Sequence, residues 1–218
     1  MTYTGNVTVG GPADVRELSH LVIEKLAVGP FDNNAYLLRC ARTGTQVLVD
    51  AAAEPERLLE LIGADGIDAV VTTHRHRDHW AALAAVVDAT GARTIAHVED
   101  APGIDVPTDE VVSDGSTILV GEAVLTAIHL VGHTPGSIAL LYDDPTGAPH
   151  LITGDCLFPG GVGNTEKDAA RFAALIEDVT AKLFDRLPDE TWVYPGHGGD
   201  TTLGAERPQL DGWRQRGW

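Results

Sequence analysis

His74-Arg75-His76-Arg77-Asp78-His79 puts three imidazoles and a carboxylate into one short run. Side chains that dense in metal donors are presented by a loop on a rigid frame, not packed into a core. Imidazole nitrogen and carboxylate oxygen are the donors zinc favours, and iron and manganese also accept them. The run follows an apolar stretch, Ile67-Asp68-Ala69-Val70-Val71, and precedes a helix-like one, Trp80-Ala81-Ala82-Leu83-Ala84-Ala85-Val86-Val87. It reads as a loop leaving a strand end and closing on a helix N-terminus, where catalytic groups commonly sit. A disordered, metal-scavenging tract is the plainer alternative, and the regular patterns on both sides argue against it.

Further candidates recur on the same plan. Gly132-His133-Thr134-Pro135-Gly136-Ser137 runs into the apolar Ile138-Ala139-Leu140-Leu141-Tyr142. Thr153-Gly154-Asp155 follows Leu151-Ile152, and Tyr194-Pro195-Gly196-His197-Gly198 follows Thr191-Trp192-Val193. Glycine beside each candidate lets the backbone turn sharply and approach without a Cβ clash.

Taken in order, His74, His76, Asp78, His79, His133, Asp155 and His197 resemble the ligand set of the metallo-β-lactamase superfamily. Within it they resemble the short glyoxalase II-like (hydroxyacylglutathione hydrolase-like) enzymes. Asp32-Asn33-Asn34-Ala35-Tyr36-Leu37 is similar to the opening strand of those hydrolases, and Leu48-Val49-Asp50 to the strand that ends in a supporting aspartate. The resemblance implies an α/β fold, the four-layer αββα sandwich, with ligands along one edge. It implies two divalent metal ions, zinc foremost, with iron or manganese as substitutes. His74, His76 and His133 would hold one ion, Asp78, His79 and His197 the other, and Asp155 would bridge them.

The reaction so implied is hydrolysis of a hydroxyacyl thioester by water activated at the metals, whose pKa falls from about 15.7 towards about 7. Asp78 and Asp155 would be the catalytic carboxylates, with no serine or cysteine nucleophile. Two divalent cations are only partly offset by two carboxylates and a hydroxide, so the site would attract an anionic substrate. Asp50 is expected behind the ligands, accepting the outward N–H of a ligating histidine, rather than merely capping a turn. The rival readings are a mononuclear-iron persulfide dioxygenase, a lactonase or other dinuclear hydrolase, and a metal-stabilised binding module.

At 218 residues, 44% of them hydrophobic, the chain is expected to form one domain over 1–218. No apolar run reaches the ~18–20 residues that cross a bilayer, and Met1-Thr2-Tyr3-Thr4-Gly5-Asn6 lacks the marks of a secretion signal. Two cysteines, Cys40 and Cys156, make no disulfide framework, so the expected location is cytoplasmic. A net charge of −17 opposes nucleic acid and anionic membranes. The expected partner is a small-molecule thioester or related carbonyl compound, approached through positive charge from the metals with Arg75, Arg77 or Arg207.

Strand-like runs fall at 35–38, 46–49, 69–72 and 94–96, then at 116–120, 124–129, 137–142, 150–153 and 191–194. Helical patterns fall at 54–62, 80–90 and 168–187, the last with Phe172, Leu175, Val179 and Leu183 on one stripe. Full-length glyoxalase II enzymes carry a helical region that helps bind glutathione, and this sequence ends soon after His197. That region is therefore expected to be missing, which leaves the thiol carrier open. The segment 156–164 is expected to border the cleft, its Gly160, Gly161 and Gly163 giving a mobile or tightly turned lip. Cys156 is expected to be a packing thiol, because neighbours on an extended segment point to opposite sides and Asp155 takes the metal side. His20, His97, His129 and His150 fall outside the pattern.

Overall fold

The computed structural model describes residues 2–217. Its first sheet runs in spatial order through β1 (Asp14–Glu17), β2 (Leu21–Val28), β3 (Asn33–Cys40), β4 (Gln46–Val49), β5 (Ala69–Thr72), β6 (Arg93–His97) and β7 (Glu110–Val112). The first four strands pair antiparallel, and β4 to β7 run parallel. The second sheet takes β8 (Thr117–Val120), β9 (Ala123–His129), β10 (Ile138–Tyr142) and β11 (His150–Gly154). A small hairpin follows, β12 (Leu157–Phe158) with β13 (Gly161–Val162). The second sheet is then completed by β14 (Trp192–Pro195), parallel to β11, and β15 (Thr201–Thr202).

Strict alternation along buried strands separates three apolar layers. On β3, Tyr36, Leu38 and Cys40 enter the core between the sheets, while Ala35 and Leu37 face the other way. Val47 and Val49 of β4 point in and Leu48 points out, and on β14 Tyr194 points in and Val193 out. Strands covered on both faces read as nearly continuous apolar runs, which is why half-buried alternation is faint in this sequence. The outward residues of the first sheet pack under α1 (Pro55–Ile62) and α2 (Leu83–Thr90). Those of the second pack under α3 (Ala169–Asp178) and, after the single turn α4 (Leu203–Glu206), under α5 (Leu210–Arg216). The result is the αββα sandwich expected from the sequence.

Two helices differ from expectation for local reasons. The helix expected over 80–90 begins only at Leu83, because Arg77–His79 forms a tight 3₁₀ turn first. Ala82 N–H is held by the Ala51 carbonyl at 3.0 Å and Trp80 Nε1 by the Arg75 carbonyl at 2.9 Å, which ties the segment to the loop. The helix expected over 168–187 is α3 followed by a π-helical stretch, Val179–Phe184. Its apolar stripe Phe172, Leu175, Val179 and Leu183 stays buried throughout. β1, β2 and α5 have no counterpart among the sequence expectations.

The parallel strands β4 and β5 deliver Asp50 and His74 just past their carboxyl ends, and β11 and β14 deliver Asp155 and His197 likewise. Carboxyl ends of parallel strands are where open α/β sheets gather ligands. At this edge the sheets are joined by backbone hydrogen bonds, Asn34 N–H to the Gly196 carbonyl at 2.7 Å and Ile138 N–H to the Thr73 carbonyl at 3.0 Å.

Candidate metal centre

All seven sequence-derived donors meet at that edge. His74, His76 and His133 form one group, Asp78, His79 and His197 a second, and His74, His79 and Asp155 a third between them. His133 Nε2 lies 2.9 Å from His76 Nδ1 and 3.2 Å from His74 Nε2, and His79 Nε2 lies 3.2 Å from His197 Nε2. Asp155 reaches both sides, with Oδ2 3.6 Å from His133 Nε2 and 3.5 Å from His197 Nε2, and Oδ1 3.3 Å from His79 Nε2. Close approach of backbone makes this possible: a Cβ on Gly196 would fall 2.2 Å from Asp155 Oδ1, and one on Gly163 would fall 1.8 Å from the Asp155 carbonyl.

The outward nitrogens show how the rings are aimed. His133 Nδ1 donates to the Asn164 carbonyl and His197 Nδ1 to the Phe31 carbonyl, each at 2.8 Å. His79 Nδ1 donates to Asp50 Oδ2 at 2.8 Å. Thr73 donates its hydroxyl proton to Asp50 Oδ2 at 2.8 Å, which leaves its oxygen to accept from His74 Nδ1 at 3.1 Å. Asp50, buried and held further by Thr73 N–H at 2.8 Å, thus supports His79 directly and His74 through Thr73. With Nδ1 committed outward, a neutral ring turns its Nε2 lone pair inward.

That donor set fits divalent cations. Converging lone pairs at these separations repel one another unless positive charge lies among them. Metal–nitrogen bonds of about 2.0–2.1 Å place donors around one ion roughly 3.3 Å apart, close to the spacings seen here. Asp155 Oδ1 is buried without a hydrogen-bond partner among the described residues, as a carboxylate oxygen aimed at a cation would be.

Without metal, the two sides carry different charge. Burial holds His74 well below the usual histidine range and His133 down at about 4, and lowers His76 as well. Burial also opposes charge on His79, but the carboxylates of Asp50 and Asp155 outweigh it and raise that imidazole to about 10. His197 is raised too, burial being outweighed by Asp155. Burial would lift Asp155, yet the neighbouring His197 and His79 imidazoles hold it well below the usual carboxylate range.

A cleft of about 570 Å³ opens beside the second group, lined by Pro30, Phe31, Ala52, Ala53, Ala81 and Arg77 together with Asn33, Asp78 and His197. Asn33 Nδ2 donates to Asp78 Oδ2 at 3.0 Å. Arg77 is exposed on the cleft wall, and Arg75 sits 3.9 Å from Asp100. Arg207 is not at the mouth: it pairs with Asp189 at 2.5 Å and donates to the carbonyls of Phe184 and Leu187. Held by these three acceptors, its guanidinium does not line the cleft. Of the remaining histidines, His129 stacks on His97 with centroids 3.9 Å apart and His150 bonds the Tyr194 hydroxyl at 2.8 Å. Cys156 is buried in the outer core with its thiol pushed far up by burial.

Sequence reasoning missed Asn33 as a partner of Asp78, and it missed Asp100. The latter is fully buried and accepts from Arg75 N–H at 2.9 Å, Thr134 Oγ1 at 2.5 Å and Gly136 N–H at 2.8 Å, tying the His74–His76 loop to the His133 loop. No local signal marks such a residue, since its partners come from distant segments.

Two sheets between helical layers, with histidine and aspartate donors converging at one edge, define the metallo-hydrolase class. A family model for the metallo-beta-lactamase superfamily matches residues 28–197, and the chain belongs to that superfamily. It is 36% identical over 184 residues to a hydroxyacylglutathione hydrolase of Polaromonas sp., covering 81% of this chain and 66% of that one. The chain therefore spans just under two thirds of that relative. It is 30% identical over 205 residues to the probable metallo-hydrolase YqgX of Bacillus subtilis, covering 85% of this chain and 94% of the relative. Among solved structures it is similar to TTHA1623 in a di-iron-bound form, with TM-score 0.68, 33% identity, and coverage of 84% and 96% of the two chains.

Proposed function

We propose that the protein is a metal-dependent thioester hydrolase, glyoxalase II-like, acting on a hydroxyacyl thiol. The observation that carries this reading is the convergence of seven donors into two groups, with Asp155 reaching both sides between them, beside an open cleft. In this reading His74, His76 and His133 hold one divalent ion, Asp78, His79 and His197 hold the other, and Asp155 serves both. When bound, such ions would supply Lewis acidity, lowering the pKa of a coordinated water towards about 7 and polarising a carbonyl. The similarity to a hydroxyacylglutathione hydrolase supports the thioester assignment.

The chain's own residues then have definite tasks. Asp50 fixes the orientation of His79, and of His74 through Thr73. Asn33 fixes one oxygen of Asp78, the more exposed of the two carboxylates and the one that lines the cleft. Asp78 is thus the group placed to hold or pass a proton on the substrate side. The apolar wall of Pro30, Phe31, Ala52, Ala53 and Ala81 suits an acyl chain or thiol carrier, and Arg77 adds the positive charge that an anionic substrate needs. We take zinc as the resident metal. The di-iron form of TTHA1623 makes iron the competing assignment, decided by metal analysis of the purified protein.

No helix among the described residues is long and apolar enough to cross a membrane. Two buried free cysteines and the charge of −17 fit our proposal of a cytoplasmic enzyme with a small-molecule partner, not nucleic acid or a lipid surface.

The test is hydrolysis of S-lactoylglutathione by metal-replete protein, followed as loss of thioester absorbance beside an Asp78→Ala control. Turnover that disappears in the control is expected. Metal-replete protein that leaves this and other hydroxyacyl thioesters intact would reject this reading and push the assignment towards iron-dependent persulfide oxidation or lactone hydrolysis.

A further inference from the structure

Each of the two ligand groups contains one histidine from the second sheet, His197 or His133, carried on a loop rather than on a strand. In both cases a cation from another element donates to the backbone carbonyls that flank it. Lys25, on β2 and fully buried, donates from Nζ to the Gly198 carbonyl and the Gly5 carbonyl at 2.7 Å, and to Asp200 Oδ1 at 2.5 Å. An ammonium has three donors and no acceptor, so these partners satisfy it completely. Asn34 Nδ2 adds bonds to the Pro195 carbonyl at 2.8 Å and the Gly198 carbonyl at 2.9 Å, and Tyr36 donates to the Pro195 carbonyl at 2.6 Å. With Asn34 N–H on Gly196, the carbonyls of residues 195, 196 and 198 are all held by the first sheet.

Arg171, on α3, repeats the device at the other group. Its Nε donates to the Gly132 carbonyl at 2.9 Å and another guanidinium nitrogen to the His133 carbonyl, while Glu166 balances the charge at 2.8 Å. Placing positive side chains close to a site meant for cations opposes metal binding electrostatically. Their carboxylate partners, Asp200 and Glu166, cancel much of that field, so what remains is the grip on the loop.

We propose that Lys25 and Arg171 are positioning residues, one for each ligand group: Lys25 sets His197 and Arg171 sets His133. The proposal rests on the two-ion reading given above. Ligands supplied by loops need external restraint, and outer partners of ligands commonly alter metal affinity by about 10–100-fold.

The experiment is titration of metal-free protein with Co²⁺ against a competing chelator, read from the visible absorbance of each equivalent, so the readout is independent of turnover. His197→Ala and His133→Ala assign the two binding steps. Lys25→Met alone would strand the Asp200 carboxylate in the interior, so it is paired with Asp200→Asn, which still accepts from Tyr3 and Trp192. The double variant is expected to remain folded in the metal-free state, melting lower for the lost donor to the Gly5 carbonyl, and to bind the His197-side ion about 10–100-fold more weakly while leaving the other step unchanged. Arg171→Met is expected to do the reverse. Variants that take up both equivalents with wild-type affinity overturn the positioning role while leaving the two-ion reading intact. Wild-type protein that takes up fewer than two equivalents overturns the two-ion reading itself.

Discussion

The His74, His76 and His133 side of the centre and the Asp78, His79 and His197 side use the same residue types in opposite electrostatic settings. The first is nearly charge-free: burial dominates and keeps its imidazoles neutral. The second has Asp78 among its own donors and Asp50 behind His79, and it favours protonated rings when no metal is present. Desolvation is common to both, so the sign is set where Asp50 and Asp155 act on His79, and Asp155 on His197, strongly enough to outweigh it. Neutral rings stand ready for an ion, whereas protonated ones must first release protons.

The largest effect that would sharpen this contrast is expected from Asp155→Ala, which removes the one donor common to both sides. Both metal equivalents should be lost and turnover should fall by more than the about 10²–10³-fold seen for a single lost transition-state contact, with far-ultraviolet circular dichroism unchanged. Retention of two tightly held ions would rule out a shared carboxylate. Asp78→Ala should be selective. One equivalent should remain on the three-histidine side while hydrolysis disappears, measured by metal content after gel filtration, and near-normal activity would break the division into two sides.

A smaller effect is expected behind the ligands. Asp50→Ala should weaken both binding steps by about 10–100-fold, because its carboxylate reaches His79 directly and His74 by way of the Thr73 hydroxyl. Thr73→Val, nearly the same shape without the hydroxyl, should weaken only the step that involves His74. Equal losses at both steps in the valine variant would contradict the relay.

The smallest effects concern the metal-free fold and its response to pH. His79 is held at about 10, above the ordinary 6.5, so its stabilisation is full below pH 6.5 and is lost as pH rises towards 10. His133 is held at about 4, below 6.5, so the fold loses stability as pH falls from 6.5 towards 4. Each slope should be about 1.4 kcal/mol per pH unit and proton at most. Urea unfolding of chelated protein should show the alkaline limb flattened in His79→Gln and the acid limb flattened in His133→Gln. Profiles that match wild type would show that the two sides are not tuned as described.

Much of the site was legible because its donors are local in sequence. His74 to His79 share one loop, and His133, Asp155 and His197 each stand beside glycines at a strand end, so strand, turn and donor can be read together. Asp50 was legible for the same reason, at the end of Val47-Leu48-Val49. The strands of the first sheet's edge were not. β2 reads Leu-Val-Ile-Glu-Lys-Leu-Ala-Val, with Glu24 and Lys25 inside an apolar run, and no local rule foretells that the lysine is buried. Its partners are Gly5, Gly198 and Asp200. Arg207, expected at the cleft, was captured instead by Asp189, which is close in neither sequence nor motif.

By itself, then, the sequence determined which side chains can bind metal and that strand ends would present them, because residue chemistry and strand periodicity are properties of short segments. The two-sided grouping and the reach of Asp155 were already implied by the family resemblance, whereas only tertiary structure decided which imidazoles stay neutral and which buried groups grip the loops. Those outcomes depend on distances between segments as far apart as Asn33 and His197, or Arg75 and Asp100. Burial and charge act through such distances, and only the packed sandwich sets them.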